Sequence, residues 1–260
     1  MANFTTDDGV RIHYAVFPET AANLSGVTPV ILQHGFTGNH EVDFVENGLV
    51  DTLVAAGKVV VALDARGHGL SDAPHGRDRY GEERMAKDVS QLADHLGSTQ
   101  FDLLGFSMGA VIALFVAAND RRVRRWALTG LGASAVEQGG LDRNALDVDA
   151  MADVLENAQS GAALDDTARD YLGYLESRGL DRLAIASVAR ARHSTPDLPF
   201  ARMTAPCLLL MGGSDPLATR PEVLAAALPD AKLSVLDGDH GSVLTNPAFA
   251  VQLLEFLAEG

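Results

Sequence analysis

The chain has 260 residues, 47% hydrophobic and 21% charged, a composition that fits one large α/β domain with an insertion and excludes a disordered chain. Its 20 Lys and Arg stand against 35 Asp and Glu, a formal net charge of −15, so the surface repels a phosphate backbone and an anionic bilayer, and neither nucleic acid nor membrane is expected as a partner. A single cysteine, Cys207, leaves no internal disulfide framework and is expected as a small core residue at the start of a buried strand.

The first residues, MANFTTDDGVRIHYAVF, lack the basic start and apolar stretch of a signal peptide, and no later run reaches membrane-spanning length, which predicts a cytoplasmic protein. Within them, residues 10–17 alternate apolar and polar after the turn signal Asp8-Gly9 and predict a strand that opens an edge hairpin. Short continuous apolar runs at 29–33, 58–64, 101–105, 125–131, 207–213 and 231–237 predict strands buried on both faces. Between them, residues 43–56, 81–96, 108–119, 221–228 and 246–258 carry helical spacing, with Gly57 and Gly97 as stops. Alternating strand and helix implies right-handed crossovers and a mostly parallel sheet covered on both faces.

The alternation fails from about Ala133 to Pro199, where helical patterns at 147–159, 165–177 and 180–193 predict a helical insertion over the strand ends. The core is thus expected at 1–132 and 200–260, and the insertion at 133–199. It holds twelve acidic residues against six arginines and no lysine, which predicts a negative outer surface. Arg190 and Arg192 are expected to stabilise a helix end rather than clamp a substrate carboxylate.

Gly105-Phe106-Ser107-Met108-Gly109 is the chain's single G-x-S-x-G pattern, and it falls where a buried strand turns into an apolar helix. Glycine is needed on both sides because the serine sits in a strained turn, where side chains two residues away would collide with the adjoining strand and helix. A serine hydroxyl is a weak nucleophile, so this reading demands a histidine base and an orienting carboxylate. Only His193 and His240 follow the serine. His193 falls in the insertion, whereas His240 follows the last strand at the sheet end that carries Ser107, and His240 is therefore expected as the base. Asp215 follows the strand at 207–213 and is the expected acid. Asp237 and Asp239 are too close to His240 in sequence to support its ring from behind. A tetrahedral intermediate also needs two backbone donors. Met108 follows the nucleophile directly, and the turn His34-Gly35-Phe36 after the first parallel strand points to the Phe36 amide as the second.

The motifs HGF (34–36), DARGHGLSD (64–72), GFSMG (105–109), GGSDP (212–216) and DGDHGSV (237–243) resemble those of the α/β-hydrolase superfamily, in its order and over essentially the whole chain. The stretch from Gly212 onward is similar to small bacterial carboxylesterases, enol-lactonases and carbon–carbon bond hydrolases. The resemblance implies a helical cap after the sixth strand and a mainly structural part for DARGHGLSD, which leaves His68 outside the triad. Family dehalogenases and epoxide hydrolases carry aspartate where this chain has Ser107. The expected function is a cofactor-independent serine hydrolase acting on a small-molecule ester, lactone or similar acyl substrate. Carbon–carbon bond hydrolysis, lyase or cofactor-free oxygenase chemistry on the same frame is the alternative within enzymes, and a non-hydrolytic small-ligand receptor the alternative outside them. A metal enzyme is not expected, because no histidine pair has ligand spacing such as H-E-x-x-H.

Overall fold

A computed structural model describes residues 2–21, 24, 26–158, 166–191 and 198–259. In chain order, β1 (Ala2–Thr5), β2 (Arg11–Phe17) and β3 (Val30–Gln33) precede a wide helical turn at Glu41–Val45, α1 (Leu49–Ala55) and β4 (Val60–Leu63). There follow α2 (Glu82–His95), β5 (Phe101–Phe106), α3 (Met108–Asn119), β6 (Val123–Thr129), and the inserted helices α4 (Ser134–Glu137), α5 (Val148–Asn157), α6 (Asp166–Ser177) and α7 (Arg182–Ala191). The chain closes with β7 (Cys207–Gly212), α8 (Pro221–Ala227), β8 (Ala231–Leu236) and α9 (Pro247–Ala258).

Among the described residues the strands form one eight-stranded sheet in the order β1-β2-β4-β3-β5-β6-β7-β8. The pairs β1–β2 and β2–β4 are antiparallel, and every later pair is parallel. Alternation along the parallel strands divides the core in two. Ile31, Val61, Leu103 and Leu209 face α2, α3 and α8, while Leu32, Ala62, Leu104 and Leu210 face α1 and α9. Helix α3 is buried from Met108 through Val116, as an element apolar on every side must be.

Two local expectations are corrected. The strand at 10–17 closes the edge hairpin instead of opening it: its partner is β1, four residues with polar Asn3 and Thr5, too short to show a period. The helix expected over 43–56 is interrupted, because Gly48 adopts φ +79° and restarts the chain as α1. Gly57 (φ +79°) and Gly97 (φ +65°) do end their helices. Cys207 is buried at the start of β7, and burial pushes its thiol well up.

Between β6 and β7, helices α5, α6 and α7 build an apolar cluster of their own from Val148, Leu155, Leu175, Ile185 and Ala189, whereas α4 packs into the main core through Ala135. They are tied to the rest of the chain by Ser187 Oγ, which accepts from Gly76 N at 3.0 Å, and by His75 Nε2 with Asp181 Oδ2 at 2.9 Å. No helix among the described residues is long and apolar enough to cross a membrane.

The loop after β4 is fastened by Arg66, which is fully buried. Its Nε and Nη2 donate to the two carboxylate oxygens of Asp88 on α2, both at 2.7 Å, and Nη1 donates to Asp8 Oδ2 in the hairpin turn at 2.8 Å. Removing one partner of such a buried ion group leaves the others uncompensated. Arg66→Met is therefore expected to lower unfolding stability by about 3–5 kcal/mol in urea titrations, and the added substitution Asp88→Leu to recover part of that loss.

Candidate active site

Ser107 occupies the sharp turn between β5 and α3 with φ +56° and ψ −117°, a conformation that costs of order 1–3 kcal/mol in a residue with a side chain. The flanking glycines make that turn sterically feasible. A Cβ on Gly105 would overlap the Gly109 carbonyl, and one on Gly109 would overlap the Gln33 carbonyl of β3. Helix α3 thus starts in backbone contact with two strands. The Ser107 amide donates to Thr129 O of β6 at 2.9 Å, which fixes the turn from the other side.

The loops after β7 and β8 bring Asp215 and His240 to the same edge. His240 Nε2 lies 2.9 Å from Ser107 Oγ, and His240 Nδ1 lies 2.9 and 3.0 Å from the two oxygens of Asp215. A carboxylate only accepts, so Nδ1 carries the hydrogen and Nε2 presents its lone pair to the serine hydroxyl. Asp215 is buried, and its Oδ1 also accepts from Leu217 N at 2.8 Å. Phe106 lies beside the imidazole, with ring centroids 4.9 Å apart. Gly130 (φ +75°) leaves room for the ring, since a Cβ there would stand 2.8 Å from His240 Cε1.

The turn after β3 passes directly against the serine: a Cβ on Gly35 would lie 3.3 Å from Ser107 Cβ. Its path is fixed by side chains. Gly35 N donates to Asp43 Oδ2 at 2.9 Å, Thr37 N to His68 Nε2 at 3.2 Å, and Ala65 N to His34 Nε2 at 2.8 Å. Neither the Phe36 nor the Met108 amide forms a hydrogen bond among the described residues. Both residues border a cavity of about 30 Å³, walled also by Leu141, Leu146, Val148 and Val188, with Glu82, Asp142 and Arg143 as its polar lining.

Other residues singled out in the sequence lie elsewhere. Asp239 is exposed and accepts from Ser242 N at 2.9 Å and Ser242 Oγ at 2.6 Å, capping the short turn after His240. Arg190 turns to α5, where it pairs with Asp153 and with Glu156 Oε2 at 2.9 Å. Arg192 and His193 fall outside the described residues. His68 is a backbone acceptor, as expected for a structural part, and burial together with the neighbouring His34 pushes its imidazole down to about 3. Asp43 escaped the sequence reading, hidden in a predicted helix. Burial pushes its carboxyl up, and a Cβ on Gly38 would overlap it, so that glycine was the available signal.

The chain matches the family described as alpha/beta hydrolase fold over residues 28–179. It belongs to that family. Over 89% of its length it is 31% identical to the dihydrolipoyllysine-residue acetyltransferase component of the acetoin cleaving system of Pseudomonas putida, covering 64% of that protein. It is 31% identical to epoxide hydrolase 4 of Mus musculus over 43% of the chain and 28% of that protein. The chain therefore spans less than two thirds of these curated relatives. Among solved structures, an esterase from Exiguobacterium antarcticum superposes with a TM-score of 0.78 at 22% identity, covering 99% of both chains. An enol-lactonase from Burkholderia xenovorans LB400 superposes at 0.71 and 22% identity, covering 99% of this chain and 100% of that one. Likeness at this identity establishes a shared fold.

Two expectations come from this geometry. Gly109→Ala is expected to destabilise by about 1–3 kcal/mol or more through overpacking against β3, read as a lowered thermal midpoint. Secondly, the His68 imidazole stays neutral in the folded protein down to about 3 but ionises near 6.5 when free. The unfolded chain then binds the extra proton between those values, so this contribution to stability is complete above pH 6.5 and is lost as pH falls through that window. Urea midpoints followed into acid should decline, and His68→Gln should flatten the decline.

Proposed function

We propose that this chain is a hydrolase that cleaves a carboxylic ester, lactone or similar small acyl substrate through an acyl-enzyme on Ser107. The observation that carries the reading is the continuous chain of contacts from Ser107 Oγ through His240 Nε2 and Nδ1 to Asp215, at 2.9 Å each. In this mechanism Ser107 Oγ attacks the carbonyl carbon as its proton passes to His240 Nε2, and Asp215 stabilises the resulting imidazolium. The Phe36 and Met108 amides hold the oxyanion, a role supported by their freedom from other acceptors among the described residues. Collapse of the tetrahedral intermediate expels the alcohol, which takes the proton from His240. Water then attacks the acyl-enzyme with His240 as base, releasing the acid and restoring the serine.

Residues 133–199 serve as a cap in this reading, over a core of residues 1–132 and 200–260. The mostly apolar wall contributed by Leu141, Leu146, Val148 and Val188 favours a small apolar acyl group, and the engagement of Arg190 with α5 removes it as a carboxylate clamp.

Ser107→Ala is expected to cut turnover of a short-chain aryl ester by at least about 10³-fold and to abolish labelling by a fluorophosphonate, with the thermal midpoint preserved. Asp215→Asn should cost on the order of 10⁴-fold in kcat by releasing the imidazole tautomer. Undiminished activity in the serine variant overturns the mechanism. Absence of wild-type labelling favours a ligand receptor on the same fold, and turnover of diketones but not esters favours carbon–carbon cleavage.

A further inference from the structure

Apart from Ser107 and its partners, three buried side chains from three separate segments converge. They are His13 on β2, His40 at the head of the Glu41–Val45 turn and Asp64 at the end of β4. One potential ligand atom from each lies within 4.8 Å of the other two. His40 Nδ1 is 2.7 Å from Asp64 Oδ1, and the rings of His13 and His40 have their centroids 5.4 Å apart. His13 is 2% exposed, and its Nε2 is buried without a hydrogen-bond partner. A buried ring nitrogen left unpaired is unfavourable. Its neutral lone pair is also what a borderline metal ion takes.

The surroundings fit a metal centre. Asp64 is oriented by two backbone donors, His40 N on Oδ1 and Leu70 N on Oδ2, both at 2.9 Å. His40 Nε2 faces the exposed Glu41 carboxylate at 3.9 Å, beyond hydrogen-bond distance, which places a negative charge beside the ring. An entry path exists as well, because His40 and Asp64 border a groove of about 810 Å³ shared with Tyr14, Gly69, Leu70 and Arg178.

We propose that His13, His40 and Asp64 bind one divalent transition-metal ion of the zinc type, through two imidazole nitrogens and one carboxylate oxygen. On binding, His40 gives up its Nδ1 hydrogen bond to Asp64 and carries its hydrogen on Nε2 instead, so the ligand stays a neutral imidazole and no net proton is lost. The ligands would close to about 2.0–2.2 Å from the ion, with water completing a four-coordinate shell. The bound ion cross-links the antiparallel strand β2 to the loops after β3 and β4, the first of which carries Phe36. Its part is structural, and it takes no step in the chemistry proposed at Ser107.

The test uses the full chain stripped with a chelator and titrated with Zn²⁺ and, separately, Co²⁺. One equivalent of either should bind, with a rise in thermal midpoint that a chelator reverses. His13→Gln is expected to weaken binding by about a hundredfold or more, since even outer residues of such sites contribute ten- to a hundredfold. His75→Gln, at the exposed pair with Asp181, should leave it unchanged. X-ray absorption of the zinc-loaded wild type should show a nitrogen and oxygen shell containing two imidazoles. Failure of the wild type to retain an equivalent, a shell without two imidazoles, or undiminished binding in His13→Gln overturns the proposal. If His13→Gln does not fold, the wild-type stoichiometry and ligand shell decide it.

Discussion

The backbone contact between the start of α3 and the strands beneath it is the constraint on which the molecule's arrangement rests. With no Cβ at Gly105 or Gly109, the first turn of α3 sets its Gly109 carbonyl against Gly105 of β5 and Gly109 itself against the Gln33 carbonyl of β3. Ser107 is thereby forced to φ +56° and its hydroxyl to the edge of the sheet. A helix so seated must be apolar all round, which explains the uninterrupted burial of Met108 through Val116. The strain in the turn is offset by what surrounds it: the Thr129 carbonyl on the Ser107 amide, the sheet on one side and α2 on the other.

The loops around that turn are held by polar groups that take no part in the proposed reaction. His34, Asp43, Asp64 and His68 hold backbone groups of the loops after β3 and β4, while Arg66 anchors the second loop to α2 and to the first hairpin. Rigid support of this kind is what the proposed use of two backbone amides would require, because a misplaced donor loses most of its effect.

Much of this was legible in the sequence because it depends on short-range patterns. Continuous apolar runs marked the parallel strands, the 3.6-residue period placed α2, α3 and α9 within a residue or two, and two glycines around Ser107 announced the turn. The positions of Asp215 and His240 followed from topology, since loops at one end of a parallel sheet must converge. What escaped had no local signature. Strand β1 was too short for a period, and Asp43 was hidden in an expected helix that Gly48 interrupts. The meeting of His13, His40 and Asp64 depends on three segments from different parts of the chain, so no spacing rule could find it.

Phe36 belongs to two neighbourhoods at once. Its ring packs against the main core and against the separate apolar cluster of the inserted helices, while its backbone lies in the turn that grazes Ser107. A residue shared in this way couples the packing of α5 and α7 to the backbone beside Ser107. Substitutions in α5 or α7 press on the residue whose backbone amide, on the proposed mechanism, steadies the transition state. On that mechanism, repacking of these helices would alter turnover through residue 36 without touching Ser107 itself.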